Sequence, residues 1–335
     1  MNLTAERELT AAEITGAVRE LLSPSVADSD KAAFLLALAK RGETAAEIAG
    51  FATELRARAI DPGLSAGKLL DIVGTGADGA STFNISSCTM FVAAAAGIPV
   101  AKHGNRAITS KCGSADVLAA LGAKIDMPVE VARRCLEETG VTFLFAPHYH
   151  PAFKVIAPVR KQLAPQRTVF NLLGPLVNPA KPTHQLLGVF DRTLVPKFAE
   201  VLRLLGLKHA LVVHGDGLDE LSTLGVNTVA EVWGGKIEFT ERDYRVKPTL
   251  WRGMPVKLEE LAGADPATNA GIVREILTGK ERGPKRDIVL LNSAAALVVG
   301  DVVDGFEHGW QRAAELIDSG QAADRLEKFI AATNS

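Results

Sequence analysis

Cysteine is scarce and unpatterned in this chain: Cys88, Cys112 and Cys135 are its three, and no two have CxxC spacing. That argues against a disulfide framework and a zinc knuckle, and fits a reducing compartment. A surplus of positive charge is also missing, because 37 Lys and Arg face 39 Asp and Glu. No global field would therefore hold nucleic acid or an anionic membrane, and any anion site has to be local. The most apolar run, "MFVAAAAGIPVA", is too short to span a bilayer. The opening "MNLTAERELT" has no basic-then-apolar signal pattern. A soluble cytoplasmic protein is expected. With 335 residues, 47% of them hydrophobic, the chain has material for a large core that needs no staples.

Up to about residue 60 apolar residues recur at i, i+3, i+4 and i+7, in "TAAEITGAVRELL", "DSDKAAFLLALAKRG" and "TAAEIAGFATELRARA". Ser29 or Asp30 and Thr44 are the expected N-caps, and Gly42 can close a helix. The turn-rich stretch "DPGLSAGK", residues 61–68, ends this helical unit. Beyond it short apolar runs alternate with helical stretches, which predicts a mainly parallel sheet covered by helices, with ligands at the strand C-terminal ends. Residues 149–166 read as a helix kinked at Pro158 that packs back on the helical unit, and the tail from Asp265 returns to helices. The expected fold class is α/β: a small all-helical domain, 1–64, joined by helices from about 150–183, followed by a larger domain with a mainly parallel sheet covered by helices, 65–335.

In "DIVGTGADGASTFNISS", Gly74, Gly76 and Gly79 spell G-x-G-x-x-G between a strand and a helix. A dinucleotide site needs an acidic residue at the end of the next strand. That strand, "IPVAKHG", ends instead in Lys102 and His103. A Walker loop fails too, since Ala80 stands where its lysine must be. What remains is the shared physics: glycines that turn backbone N–H groups toward an anion, and a helix N-terminus behind them. Lys102, Asn105, Arg106, Ser110 and Ser114 form a second donor-rich loop at the neighbouring strand end. Two such loops on one edge suit a ligand with several phosphates and hydroxyls.

After "HALVVHG" come Asp216, Asp219 and Glu220, on a loop at the same predicted edge. Such a run is usually a solvated turn. Facing a phosphate site it needs an intervening cation, and Mg²⁺ takes one or two carboxylates together with phosphate oxygens. Arg160, on the kinked helix, is either a surface residue or a planar fork for a carboxylate. His148 and His150 form an H-x-H pair with no third metal ligand in view.

Taken in order, "DIVGTGADG", "TFNISS", "VAKHGNRAITSKCGSADVL", "APHYHPAFKVIAPVRKQL", "FNLLGPLVNPA", "VVHGDGLDEL" and "RDIVLLNSAAAL" resemble the anthranilate phosphoribosyltransferases over nearly the whole chain. The resemblance implies transfer of the phosphoribosyl group of phosphoribosyl pyrophosphate to the amine of anthranilate, a step of tryptophan biosynthesis. It implies the nucleoside phosphorylase-like fold of that family and a homodimer formed through the helical part. Carried over by position, it assigns Gly74, Ala77, Asp78, Thr82, Asn84, Ile85, Ser86, Ser87, Lys102, Ser110 and Ser114 to phosphoribosyl pyrophosphate. It assigns Gly74, His103, Asn105 and Arg160 to anthranilate, and Ser86, Asp219 and Glu220 to Mg²⁺. No dedicated acid or base is implied; Lys102, Asp219 and Glu220 would stabilise the transition state. Two departures stand out: Ala77 replaces a usual glycine, and Phe153 stands where some members have tyrosine. A pyrimidine nucleoside phosphorylase and a non-catalytic nucleic-acid-binding relative are the alternatives on this scaffold.

Overall fold

The computed structural model describes residues 5–64, 67–76, 78–107, 111–243 and 256–335; Ala77 and Ser110, both expected at the donor loops, lie outside them. Three helices come first: α1 (Ala11–Leu21), α2 (Asp28–Arg41) and α3 (Ala45–Arg56). Thr10 and Thr44 open α1 and α3 with capping boxes, in which Glu13 or Glu47 reaches back to the threonine N–H. Gly42 closes α2 at φ 87°. The start of α2 differs from expectation, because Ala27 holds the N-cap position and no side chain caps it. Asp28 and Asp30 instead lie in the first turn, where a carboxylate favours the positive helix end.

The remaining elements alternate: β1 (Leu70–Gly74), α4 (Ile85–Ala95), β2 (Val100–Gly104), α5 (Ser114–Ala120), α6 (Val129–Thr139), β3 (Val141–Phe145), α7 (Ala146–Tyr149), α8 (Phe153–Leu163) and α9 (Val169–Leu173). Then come β4 (His184–Gly188), α10 (Leu194–Leu204), β5 (His209–Gly215), β6 (Val226–Trp233), β7 (Lys236–Asp243), α11 (Pro266–Leu277), α12 (Pro284–Val299), α13 (Phe306–Asp318) and α14 (Gln321–Asn334). Pro158 lies inside α8.

Among the described residues the strands form one sheet of order β3-β2-β1-β4-β5-β6-β7. The first five are parallel; β6 and β7 run antiparallel at one side. The chain therefore lays strands outward from β1 to β3, then returns to lay β4 and β5 on the other side of β1. That reversal opens a crevice above the C-terminal ends of β1 and β4, the usual ligand position in an open α/β sheet.

Strand alternation assigns the two sheet faces to two different cores. On β5, Leu211 and Val213 pack with α4, α6 and α11–α14, whereas Ala210 and Val212 pack in the other core. That second core is shared: Leu35 of α2, Phe51 of α3, Ile156 and Val159 of α8, Phe170 of α9 and Phe198 of α10 belong to one cluster. The N-terminal helices thus cover one face of the sheet through α8–α10, and among the described residues their buried side chains fall in the same cluster as that face.

Candidate active site

Glycine ends each of the four strands that border the crevice: Gly74, Gly104, Gly188 and Gly215. At Gly74, Gly188 and Gly215 the cause is close approach by the acidic loop after β5, which lies directly on the strand ends, whereas a Cβ on Gly104 would instead meet Ser114 Oγ at 2.2 Å and the Phe143 ring at 2.8 Å. A Cβ on Gly188 would sit 1.6 Å from the Asp219 carbonyl oxygen, and one on Gly74 would sit 2.2 Å from the Asp219 carboxylate. On Gly215 it would sit 2.4 Å from the Ser222 nitrogen. Any side chain at these positions would lift the loop.

The glycine turn wraps the acidic loop. Gly76, at φ 66°, donates its N–H to Asp219 Oδ2 at 2.6 Å, so an amide expected to face an anionic ligand faces a carboxylate of the protein. Asp78 lies across it, accepting the Asp219 N–H at 3.4 Å. Burial first, and then the Asp78 charge, pushes the Asp219 carboxyl up to about 7. Burial and Asp219 push Glu220 up to about 8, opposed by Lys102 and by the Ser86 backbone N–H. Lys102 is lowered by burial and held against it by Asp71, Glu220 and Asp219. Its Nζ donates to the Ile72 carbonyl and, at 3.1 Å, to Ser86 Oγ. Asp78, Asp219 and Glu220 crowd round one ammonium, and burial together with the mutual repulsion of their charged forms raises the latter two. Added positive charge would lower both raised carboxyls.

The other expected donor residues lie around this cluster. Asn84 precedes α4, and its amide is fixed by Asn269, which donates to Asn84 Oδ1 at 2.9 Å. Thr82 pairs with Ala262 as an isolated bridge, bracing the descending arm of the turn. Ser86 faces Lys102, whereas Ser87 is fully buried with its hydroxyl unpartnered among the described residues. Ile85 points into the core and its N–H donates to Phe83 O at 2.8 Å, so its side chain is not among those brought together. Ser114 begins α5 with its hydroxyl 3.4 Å from the Asn105 carbonyl. Arg106 does not stand as a free donor: it pairs with Asp116 at 2.9 Å. Asp116 also accepts the N–H groups of Ala107 and Gly113, fastening the two arms of the 104–113 loop together.

A line of rings leads from β2 to Arg160. His103 is 5.2 Å from His150, His150 stacks on Phe153 at 4.9 Å, and Phe153 meets Phe170 edge-on at 6.0 Å. The Arg160 guanidinium lies over Phe170, 5.5 Å from its centroid. Burial lowers the Arg160 pKa, and no carboxylate or carbonyl partner holds the guanidinium among the described residues. Burial pushes His103 down to about 3 and His150 to about 4, so both rings are neutral at pH 7. The carbonyl of Val177, 2.9 Å from His150 Nε2, can only accept, which assigns the proton to that nitrogen. His148 points elsewhere, to Asp126 at 2.9 Å, so the H-x-H pair diverges.

Among the described residues no group of three or more His, Cys, Asp or Glu is arranged as a metal cage. Hard carboxylate oxygens crowded together nevertheless suit Mg²⁺, which fills its remaining positions with water and substrate oxygens. Gly188, Gly215, Asn269 and Phe170 were not singled out from sequence, and His150 was noted only as half of an H-x-H pair. A glycine at the end of each of "HQLLG" and "HALVVHG" was the available signal for the first two.

Residues 66–323 match the family model described as glycosyl transferase family, a/b domain, and residues 2–59 match that family's helical bundle domain. The chain is 48% identical over 327 residues to the anthranilate phosphoribosyltransferase of Anaeromyxobacter dehalogenans (strain 2CP-C), covering 97% of this chain and 95% of that one. It is 46% identical to that of Methanobrevibacter smithii over 98% of this chain and 96% of the other. The solved anthranilate phosphoribosyltransferase of Thermus thermophilus is similar at TM-score 0.91 and 40% identity, covering 98% of this chain and 97% of that one. The Saccharomyces cerevisiae enzyme, solved in complex with PRPP and Mg, is similar at TM-score 0.85 and 30% identity, covering 97% and 94%. A glycosyl transferase helical bundle joined to its α/β domain, with relatives this similar over nearly their whole length, makes the chain a member of the anthranilate phosphoribosyltransferase family.

Proposed function

We infer that this protein transfers the phosphoribosyl group from 5-phospho-α-D-ribose 1-diphosphate to anthranilate, releasing diphosphate and N-(5-phosphoribosyl)anthranilate. One observation carries the reading at the site: a buried acidic cluster at the sheet's switch point, linked by a ring-lined wall to an arginine with no acidic partner among the described residues. The first feature suits a polyphosphate held through a divalent cation, and the second an aromatic acceptor carrying a carboxylate.

In the reaction the ribose C1–oxygen bond breaks as the C1–nitrogen bond forms; the electron pair leaves with diphosphate, and the new bond's nitrogen sheds a proton. We assign Asp219 and Glu220, with Ser86, to Mg²⁺, which when bound supplies positive charge beside the leaving group. Lys102 adds a fixed ammonium, and Gly74, Asp78, Thr82, Asn84 and Ser114 surround the sugar phosphate. Arg160 and Asn105 hold the anthranilate carboxylate and ring, with His103 as a neutral wall. The aryl amine is uncharged at neutral pH, so the site has to position it rather than deprotonate it first.

The same reading places the domain boundary near residue 64, the protein in the cytoplasm, and a second copy against the helical unit. No helix among the described residues is long and apolar enough to cross a membrane. Light scattering after gel filtration tests the dimer. The activity is tested by anthranilate fluorescence, which should change only when phosphoribosyl pyrophosphate and Mg²⁺ are both present. A signal unmoved by the complete mixture sinks the assignment. Asp219→Asn combined with Glu220→Gln should shift the Mg²⁺ requirement to higher concentration, and an unchanged titration removes both from the cation site.

A further inference from the structure

The acidic pair sits on a loop, yet both flanks of the pair are fixed. Upstream, Gly215 and Leu218 exchange backbone hydrogen bonds of 3.1 and 3.0 Å. Downstream, two buried asparagines hold two consecutive residues, each at both its N–H and its carbonyl. Asn292 of α12 accepts from Leu221 N at 3.0 Å and donates to Leu221 O at 2.8 Å, with a further donation to Ile288 O at 2.9 Å. Asn227 of β6 accepts from Ser222 N at 2.7 Å and donates to Ser222 O at 2.9 Å. Both asparagines are fully buried. A side-chain amide carries an acceptor oxygen and a donor nitrogen side by side, so it can satisfy an N–H and a C=O of one residue together, as a neighbouring strand would. An apolar residue at either place would leave two buried backbone groups without partners.

We propose that Asn292 and Asn227 are positioning residues for the divalent cation: by clamping Leu221 and Ser222 they fix where the Glu220 and Asp219 carboxylates stand. The loop thereby becomes part of the sheet and of α12 without belonging to either. This rests on the reading of Asp219 and Glu220 as cation ligands. Partners that orient ligating carboxylates typically govern 10- to 100-fold in metal affinity, which sets the scale expected.

The test uses Mn²⁺ as the probe, its free ion followed by electron paramagnetic resonance with phosphoribosyl pyrophosphate present, on the full-length parent and on Asn292→Ala and Asn227→Ala. Val299→Ala, a buried truncation two turns further along α12, controls for loss of stability. Each asparagine variant should bind Mn²⁺ about 10- to 100-fold more weakly, while the KM for anthranilate stays within about twofold and Val299→Ala binds Mn²⁺ as the parent does. The two asparagines lie on different elements, so either variant that folds decides the matter. Mn²⁺ affinity equal to the parent's, in a variant whose melting point falls as in Val299→Ala, overturns the proposal and leaves the asparagines merely structural. A parent whose Mn²⁺ affinity is unmoved by Asp219→Asn with Glu220→Gln overturns the cation reading, and this inference with it.

Discussion

Arg160 has a ring beneath it and no acidic neighbour among the described residues, so its burial is uncompensated until an anion arrives. Hydrogen bonds to a charged group contribute about 1.5–3 kcal/mol, or about 10- to 150-fold in affinity. Arg160→Ala should raise the KM for anthranilate by that factor while the KM for phosphoribosyl pyrophosphate stays within about twofold. Equal losses for both substrates would remove the assigned role. Gly188 is constrained differently: the 1.6 Å approach of Asp219 O means that Gly188→Ala must push the acidic loop away by more than an ångström. Displacements of about 1 Å at a reacting site cost about 100-fold, so kcat/KM for the phosphoribosyl donor should fall by about that much with circular dichroism unchanged. Activity within fivefold of the parent would show that the loop yields freely. These residues also mark where sequence stopped being legible. Lys102 stood out because its charge conflicts with a dinucleotide reading, and Asp219 and Glu220 because carboxylates facing a phosphate site call for a cation, but Gly188 and Asn292 act through contacts with chain 31 and 71 residues away, which no local pattern encodes. Arg106, expected as a donor, is instead taken up by Asp116, ten residues on in the first turn of α5, a pairing that the loop's own sequence does not signal.

The elements were read more easily than their contacts, since apolar period and glycine punctuation are local properties. Thr44, Gly42 and the proline-containing helix α8 follow directly from residue chemistry, whereas the start of α2 was displaced because Ala27 carries no cap to signal it. What the pattern could not convey is how the strand N-terminal ends are tied together. There His209, at the start of β5, lies between Asp301 Oδ1 at 2.7 Å and Glu231 Oε1 at 2.9 Å, linking β5 to β6 and to the turn after α12. Lys68 and His184 also reach Asp301, and Trp233 stacks on the His209 ring at 5.1 Å. Burial alone would lower the His209 pKa, but the two carboxylates outweigh it and the pKa is raised. The folded state therefore binds this proton more tightly than the unfolded chain, whose histidine titrates at about 6.5. Its contribution to stability is complete below that value and is lost as pH rises through the higher folded value. Melting temperature should consequently fall more steeply above about pH 6.5 in the parent than in His209→Gln, and Trp233 fluorescence should change over the same interval. Parallel melting profiles for the two proteins would show that His209 is neutral in the fold.

At the scale of the whole molecule the site depends on two cores meeting. Asp219 and Glu220 rest on the sheet, while Arg160 is carried by α8, whose Ile156 and Val159 belong to the cluster that also buries α2, α3 and one sheet face. Polar links cross the same boundary: Arg56 Nε donates to Leu176 O at 2.6 Å, and Lys197 Nζ to Glu43 O at 2.9 Å. A fully buried aliphatic or phenylalanine side chain contributes about 1.5–3 kcal/mol, so the buried Phe34, Leu35, Phe51 and Leu55 on the N-terminal helices would forfeit several such contributions if their partners were removed. Residues 1–64 expressed alone should therefore lack a cooperative melting transition. The intact protein should show no separate low-temperature transition for its helical unit in differential scanning calorimetry. An independent transition, or a folded 1–64 fragment, would mean that the helical unit holds its own core and that Arg160 could swing away from the acidic cluster without unfolding anything. Its absence would mean that acceptor side and donor side keep their distance because the core shared by α2, α3, α8 and one sheet face sets it.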